Sequence, residues 1–150
     1  MNVTLLTESL SGEEDLPAFA KKLAHELHNH ESFVLWLNGN LGAGKTTLTR
    51  YLFRVLGLDP AVPVTSPTYT FMNEYQIGEH WYAHLDLYRA STGFTLVELG
   101  VLDAKLFKGI LVEWAEQPDA AERIEPTHIL RFTILPDNRR NLVLEEVRPF

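Results

Sequence analysis

Gly39-Asn40-Leu41-Gly42-Ala43-Gly44-Lys45-Thr46 fits the pattern G-x-x-x-x-G-K-[ST]. That octapeptide restricts the chain to folds that can suspend a glycine loop between a strand and a helix. The glycines let backbone N–H groups turn inward around a phosphate chain, Lys45 reaches the terminal phosphates, and the Thr46 hydroxyl is placed for magnesium. The flanks agree. Phe33-Val34-Leu35-Trp36-Leu37 is a short apolar run before the loop, and Leu48, Tyr51, Leu52, Val55 and Leu56 recur at helical spacing after it, with Gly57 as a stop. A helix starting at Lys45 adds the partial positive charge of its N-terminus to the loop. An ordinary strand-to-helix turn would not require Lys-Thr at this spacing.

A chain of 150 residues is expected to form one domain, residues 1–150, with a core that needs no covalent staples. It has no cysteine, which excludes disulfides and thiol chemistry and suits a cytoplasmic protein. No apolar run approaches membrane-spanning length, and the first residues lack the basic start and apolar core of a signal peptide, so no membrane partner is expected. The net charge of -7 argues against a chain that grips RNA or DNA alone. An acidic domain meets nucleic acid more readily through a partner.

Read for organisation, the chain predicts a short strand over Val3–Leu6. Ser11-Gly12-Glu13-Glu14 reads as a capping box, with Ser11 as N-cap and Glu14 three residues on. The stripe Leu16, Phe19, Ala20, Leu23, Ala24, Leu27 predicts a first helix. After the loop helix, 59–67 is an irregular proline-rich connection. Residues 70–75 and 81–85 are strand-like, with Gly78 in the turn between them. Short helical pieces are predicted within 92–107, a buried strand over Gly109–Trp114, and a closing hairpin of 127–135 with 142–147 around a turn at 136–141. The expectation is an α/β chain, a three-layer P-loop nucleotide-hydrolase-like fold with a mixed sheet of about seven strands.

A phosphate loop also needs an acid on the metal side and a group that positions water. Two apolar strands end in carboxylates: 81–85 leads to Asp86, and 110–112 leads to Glu113. If both strands neighbour the loop strand, both acids reach the magnesium and the terminal phosphate. Val64-Thr65-Ser66-Pro67-Thr68-Tyr69-Thr70 gathers hydroxyls around a proline. On composition alone it is a turn whose Ser and Thr satisfy local backbone groups. Arg89, Arg139 and Arg140 sit near predicted turns, where solvated surface charge is the default reading. His25, His28 and His30 lie at the C-terminal end of the first helix, where cations suit the macrodipole. No Cys or acid at ligand spacing accompanies them, so a metal site is not expected there. His84 is read as packed or hydrogen-bonded rather than catalytic, and Trp114 as core or a wall of the site.

Leu41-Gly42-Ala43-Gly44-Lys45-Thr46-Thr47, Ser66-Pro67-Thr68-Tyr69-Thr70, His84-Leu85-Asp86-Leu87-Tyr88-Arg89 and Val112-Glu113-Trp114 occur in that order. Together they resemble the TsaE family (older name YjeE) of small bacterial ATPases, over nearly the whole chain. The resemblance implies an ATPase that uses ATP and Mg2+ in the installation of threonylcarbamoyladenosine on tRNA. It would bind the TsaB–TsaD complex and reset it between turnovers, meeting tRNA through that complex without transferring the group itself. Free, it would be a monomer. The resemblance places ATP phosphates on Gly39, Asn40, Leu41, Gly42, Ala43, Gly44, Lys45, Thr46 and Thr47, and magnesium on Thr46 and Glu113. It assigns Asp86 to the Walker B-like position, acting on water directly or through the metal. Lys45, Asp86 and Glu113 are then the catalytic set. Ser66 to Thr70 becomes a switch-like segment, with Ser66 and Thr68 near the nucleotide. Arg139 or Arg140 would approach from the hairpin turn, and residues 11–13 would lie near the adenine.

Two other classes share the loop. A small-molecule kinase would need an acceptor site and usually an arginine-bearing lid, and only Arg89 lies between Arg54 and Arg123. A non-catalytic, nucleotide-dependent scaffold would keep its function without hydrolysis. A GTP switch is disfavoured, since no N-K-x-D segment is present.

Overall fold

A computed structural model of the chain describes residues 1–39, 44–67, 72–87, 106–113 and 125–149. Its strands are β1 (Asn2–Leu10), β2 (Phe33–Asn38), β3 (Met72–Ile77), β4 (His80–Asp86), β5 (Gly109–Glu113), β6 (His128–Ile134) and β7 (Arg140–Val147). Its helices are α1 (Leu16–Leu27) and α2 (Lys45–Leu56). All seven strands form one sheet in the order β1-β7-β6-β2-β5-β4-β3. The centre, β6-β2-β5-β4, is parallel. Antiparallel pairs close both flanks, β6-β7-β1 on one side and β4-β3 on the other. The mixed α/β arrangement agrees with the expectation.

The parallel centre is buried as such sheets must be. β5 is buried at every position. Alternation along the strands separates two faces. Leu35, Leu37, Leu111, Leu130 and Tyr82 point to the face covered by α1 and α2. There they join Phe19, Leu23, Leu48, Leu52 and Phe53 in the main core. Trp36, Ala83, Leu85, Ile110, Val112 and Ile129 point to the other face, where Leu87 and Phe107 pack on them. At the join of α2 with β3 and β4, the Phe53 ring lies 4.9 Å from Tyr75 and 5.9 Å from Tyr82 between centroids.

α2 runs over the residues its periodicity predicts and stops where expected. Gly57 has φ 111°, a left-handed conformation that costs glycine little, and its N–H donates to Phe53 O and Arg54 O. Other boundaries differ. β1 extends beyond Val3–Leu6 because it pairs with β7 from Asn2↔Val147 to Leu10↔Arg140. The expected capping box is not formed. A 3-10 turn at Glu13–Asp15 precedes α1, and the Asp15 carboxylate accepts the Ser11 backbone N–H at 2.8 Å. The closing turn is shorter than predicted because pairing continues to Ile134↔Arg140. Asn138 takes φ 67° there, a conformation asparagine tolerates. Residues 70 and 71, Trp114 and most of the predicted helical pieces (92–105) lie outside the described residues. No helix among the described residues is long and apolar enough to cross a membrane.

Phe53 is fully buried between sheet and helix. Phe53→Ala is expected to lower stability by about 3–5 kcal/mol, read as a shift of the urea midpoint. A change below about 1 kcal/mol would show that the cluster can collapse around the gap.

Candidate nucleotide site

β2 ends at Asn38, beside the C-terminal end of its parallel neighbour β5, and Gly39 opens the glycine loop there. In the β2–β5 ladder Leu37 is opposite Glu113, and in the β4–β5 ladder Asp86 is opposite Glu113. The loop and both carboxylates therefore share one end of the sheet. Because paired residues point to the same face, Asp86 and Glu113 stand side by side on the face covered by α2. Both are buried, at 3% and 4% exposure.

Asn40, Leu41, Gly42 and Ala43 lie outside the described residues; Gly39 and Gly44 frame them. Gly44 has φ 102° and, among the described residues, no heavy atom within 4 Å of where a Cβ would stand, and it is the N-cap of α2 with no side-chain cap. The first N–H groups of a helix have no intrahelical partner, so an uncapped start presents donors to an anion. The Lys45 side chain is buried, and its Nζ donates to Gly39 O at 2.8 Å, crossing from the helix to the far end of the loop. Thr46 and Thr47 follow, half-buried. The donor set fits a phosphate chain with a magnesium ion: a cation, the N–H groups of a helix start, a hydroxyl and paired carboxylates.

His84 is one contact that sequence reasoning left open. It is two residues before Asp86 on the same face of β4, is fully buried, and its Nε2 lies 2.5 Å from Glu113 Oε2. The imidazole thus holds one carboxylate oxygen of Glu113. Its Nδ1 is buried with no hydrogen-bond partner among the described residues, as is the Asn38 Oδ1 at the end of β2. The H-L-D spacing carried a signal for shared facing, but only the register of β5 identifies the partner.

A cleft of about 190 Å3 opens beside the start of α2, touching Gly44 and Thr47. Leu10, Leu16, Phe132 and Leu142 make apolar walls. Gly12 and Glu13 line it as well, in the region expected near adenine. Arg140 lines the cleft and donates from Nη1 to Asn138 O at 2.5 Å. Arg139 is exposed, with its Nε donating to Asp137 Oδ2 at 2.7 Å. Ser66 is exposed beside Thr65, whose carbonyl accepts from Asn73 at the start of β3 at 3.2 Å. Thr68 and Arg89 lie outside the described residues.

A family profile described as threonylcarbamoyl adenosine biosynthesis protein TsaE matches residues 10–142. The tRNA threonylcarbamoyladenosine biosynthesis protein TsaE of Haemophilus influenzae is 39% identical over 116 residues, covering 75% of this chain and 72% of that protein. Its counterpart from Aquifex aeolicus is 36% identical over 134 residues, covering 89% and 90%. Among solved structures, that of Bacillus subtilis YdiB superposes with a TM-score of 0.72 at 27% identity, over 99% of this chain and 88% of that one.

Replacing His84 by Leu strips a buried carboxylate of its partner and is expected to cost about 2–3 kcal/mol, whereas His84→Gln, which keeps a donor, recovers much of that. Urea denaturation of the two variants checks this; equal losses would show that the ring's volume, not its hydrogen bond, matters.

Proposed function

This chain belongs to the TsaE family, and we propose that it serves tRNA threonylcarbamoyladenosine biosynthesis as a magnesium-dependent ATPase. The observation that carries this reading is the buried Lys45 spanning the glycine loop at the sheet end where Asp86 and Glu113 are paired. A buried ammonium and two buried carboxylates are costly without a task, since each loses its hydration. ATP phosphates with magnesium would use all three.

When bound, magnesium supplies charge neutralisation on the transferring phosphoryl group. The rest is work for the chain's own side chains. Lys45 exchanges the Gly39 carbonyl for phosphate oxygens, and the N–H groups from Gly44 to Thr47 bind the same chain. The Thr46 hydroxyl and the Glu113 carboxylate would hold the metal. His84 fixes the orientation of Glu113, leaving its second oxygen for metal or water. Asp86, beside it, orients water. The apolar cleft suits an adenine base, with Arg140 at its edge. Arg139, held by Asp137, is the weaker candidate for nucleotide contact. Ser66 and Thr68 act as the switch-like segment.

The proposed partner is the TsaB–TsaD complex, with tRNA reached through it; the charge of -7 supports indirect contact. The chain is a monomer when free, it works in the cytoplasm, and hydrolysis resets the complex rather than transferring the group.

Lys45→Ala should weaken ATP binding at least about a hundredfold, since it removes a charge-assisted contact from a dry site. Fluorescent-nucleotide titration reads this directly, and near-normal affinity would remove the loop from the mechanism. Basal hydrolysis should be slow and should change on adding TsaB–TsaD. Reconstituted tRNA modification should then require this chain with ATP, and indifference to the pair would overturn the partner assignment.

A further inference from the structure

At the opposite end of the sheet, three metal-ligating side chains converge from distant parts of the sequence. His30 precedes β2, His128 opens β6, and Glu146 is opposite His128 in the β6–β7 ladder. His30 Nε2 lies 2.9 Å from Glu146 Oε2, and His128 Nε2 lies 4.0 Å from the same oxygen. One donor atom from each of the three falls within 4.8 Å of the others. The imidazoles meet edge to face, with centroids 4.6 Å apart. The helix-end reading of His30 is thereby replaced, because the acid absent from its neighbourhood in sequence comes from β7.

We propose that His30, His128 and Glu146 form a binding site for a divalent first-row transition-metal ion, zinc by its donor chemistry. His128 carries the argument. It is fully buried, yet its Nε2 has no hydrogen-bond partner among the described residues. Its other nitrogen is 2.7 Å from Thr127 Oγ1, and that hydroxyl donates to Val34 O at 3.1 Å while accepting from Val34 N–H at 3.0 Å. With its one proton directed to Val34 O, the hydroxyl accepts from Nδ1–H of His128. The bare lone pair is then on Nε2, directed toward Glu146. This is the outer hydrogen bond that sets the tautomer of a ligating histidine. Glu146 is ion-paired with Arg148. Arg148 occupies the other carboxylate oxygen, Oε1, and leaves Oε2 to the cluster.

Two imidazoles and one carboxylate make a three-ligand set of the zinc type, whereas magnesium and calcium prefer oxygen. Around a tetrahedral zinc, donors stand about 3.3 Å apart. One edge, His30 to Glu146 at 2.9 Å, is already shorter than that, and the wider ones, such as His128 to Glu146 at 4.0 Å, would have to close on binding. The ion would tie the segment between α1 and β2 to the β6–β7 hairpin.

The test is calorimetric titration of the metal-free full chain with zinc, with excess magnesium present to occupy oxygen donors at the nucleotide site. One zinc per chain with Kd near or below about 10 µM is expected. Cobalt should give the intense visible bands of four-coordinate geometry. His30→Gln and Glu146→Gln should each weaken zinc at least about tenfold, with nucleotide affinity and circular dichroism unchanged. Absence of stoichiometric binding would overturn the proposal. So would full affinity in His30→Gln, or affinity lost only in His84→Gln, which would put the zinc beside Glu113.

Discussion

The parallel register of β2, β5 and β4 is the constraint on which the rest of the molecule depends. Leu37, Glu113 and Asp86 stand in line across three strands, each at or near its C-terminal end. A slip of one residue in β5 would turn Glu113 to the opposite face, because side chains alternate with period two. It would also carry Leu111 out of the main core. The apolar patterning that secures the core therefore also secures the alignment of the carboxylates, and function is inherited from packing.

The same sheet end gathers an unusual load of buried polar groups for its size: Lys45, His84, Asp86 and Glu113. Burial of charge is unfavourable unless partners replace water. Here the partners are local: Gly39 O for Lys45, and His84 for Glu113. Lys45 is held against Gly39 O rather than extended into solvent, so that on the proposed reading phosphate would take over an interaction already desolvated. Such preorganisation lowers the cost of ordering a long side chain on binding. At the far end of the sheet, His128 is buried with one nitrogen bonded to Thr127, while the half-buried His30 holds Glu146, so each end of the sheet carries a histidine bonded to a glutamate.

Much of the fold was legible along the chain. The 3.6-residue period of Leu48, Leu52 and their neighbours, with Gly57 behind them, defined α2. The apolar runs defined the central strands, and the alternation near the C-terminus defined the hairpin. Where reading failed, partners outside the expected pattern were responsible, one tertiary and one local. β1 extends because β7 lies beside it, and the expected Ser11–Glu14 box gives way to Asp15 bonding Ser11. At the site, the loop and the two strand-end acids were legible because strand termini in an α/β sheet collect at one edge. The cleft walls were not, since Leu16, Phe132 and Leu142 read only as members of separate elements and Leu10 lay outside the predicted first strand.

By itself the sequence determined the local chemistry: a glycine loop with its lysine and threonine, a helix to carry it, two strands ending in acids, and a motif order that points to one family. These are properties of short stretches, set by backbone sterics and by the period of apolar residues. Only the tertiary structure decided the pairings. It put His84 on Glu113, turned Arg140 rather than Arg139 to the cleft, and brought His30 to His128 and Glu146 across 116 residues of chain between His30 and Glu146. Those contacts arise from strand order and register, which depend on the burial of all the strands together and are written in no single segment.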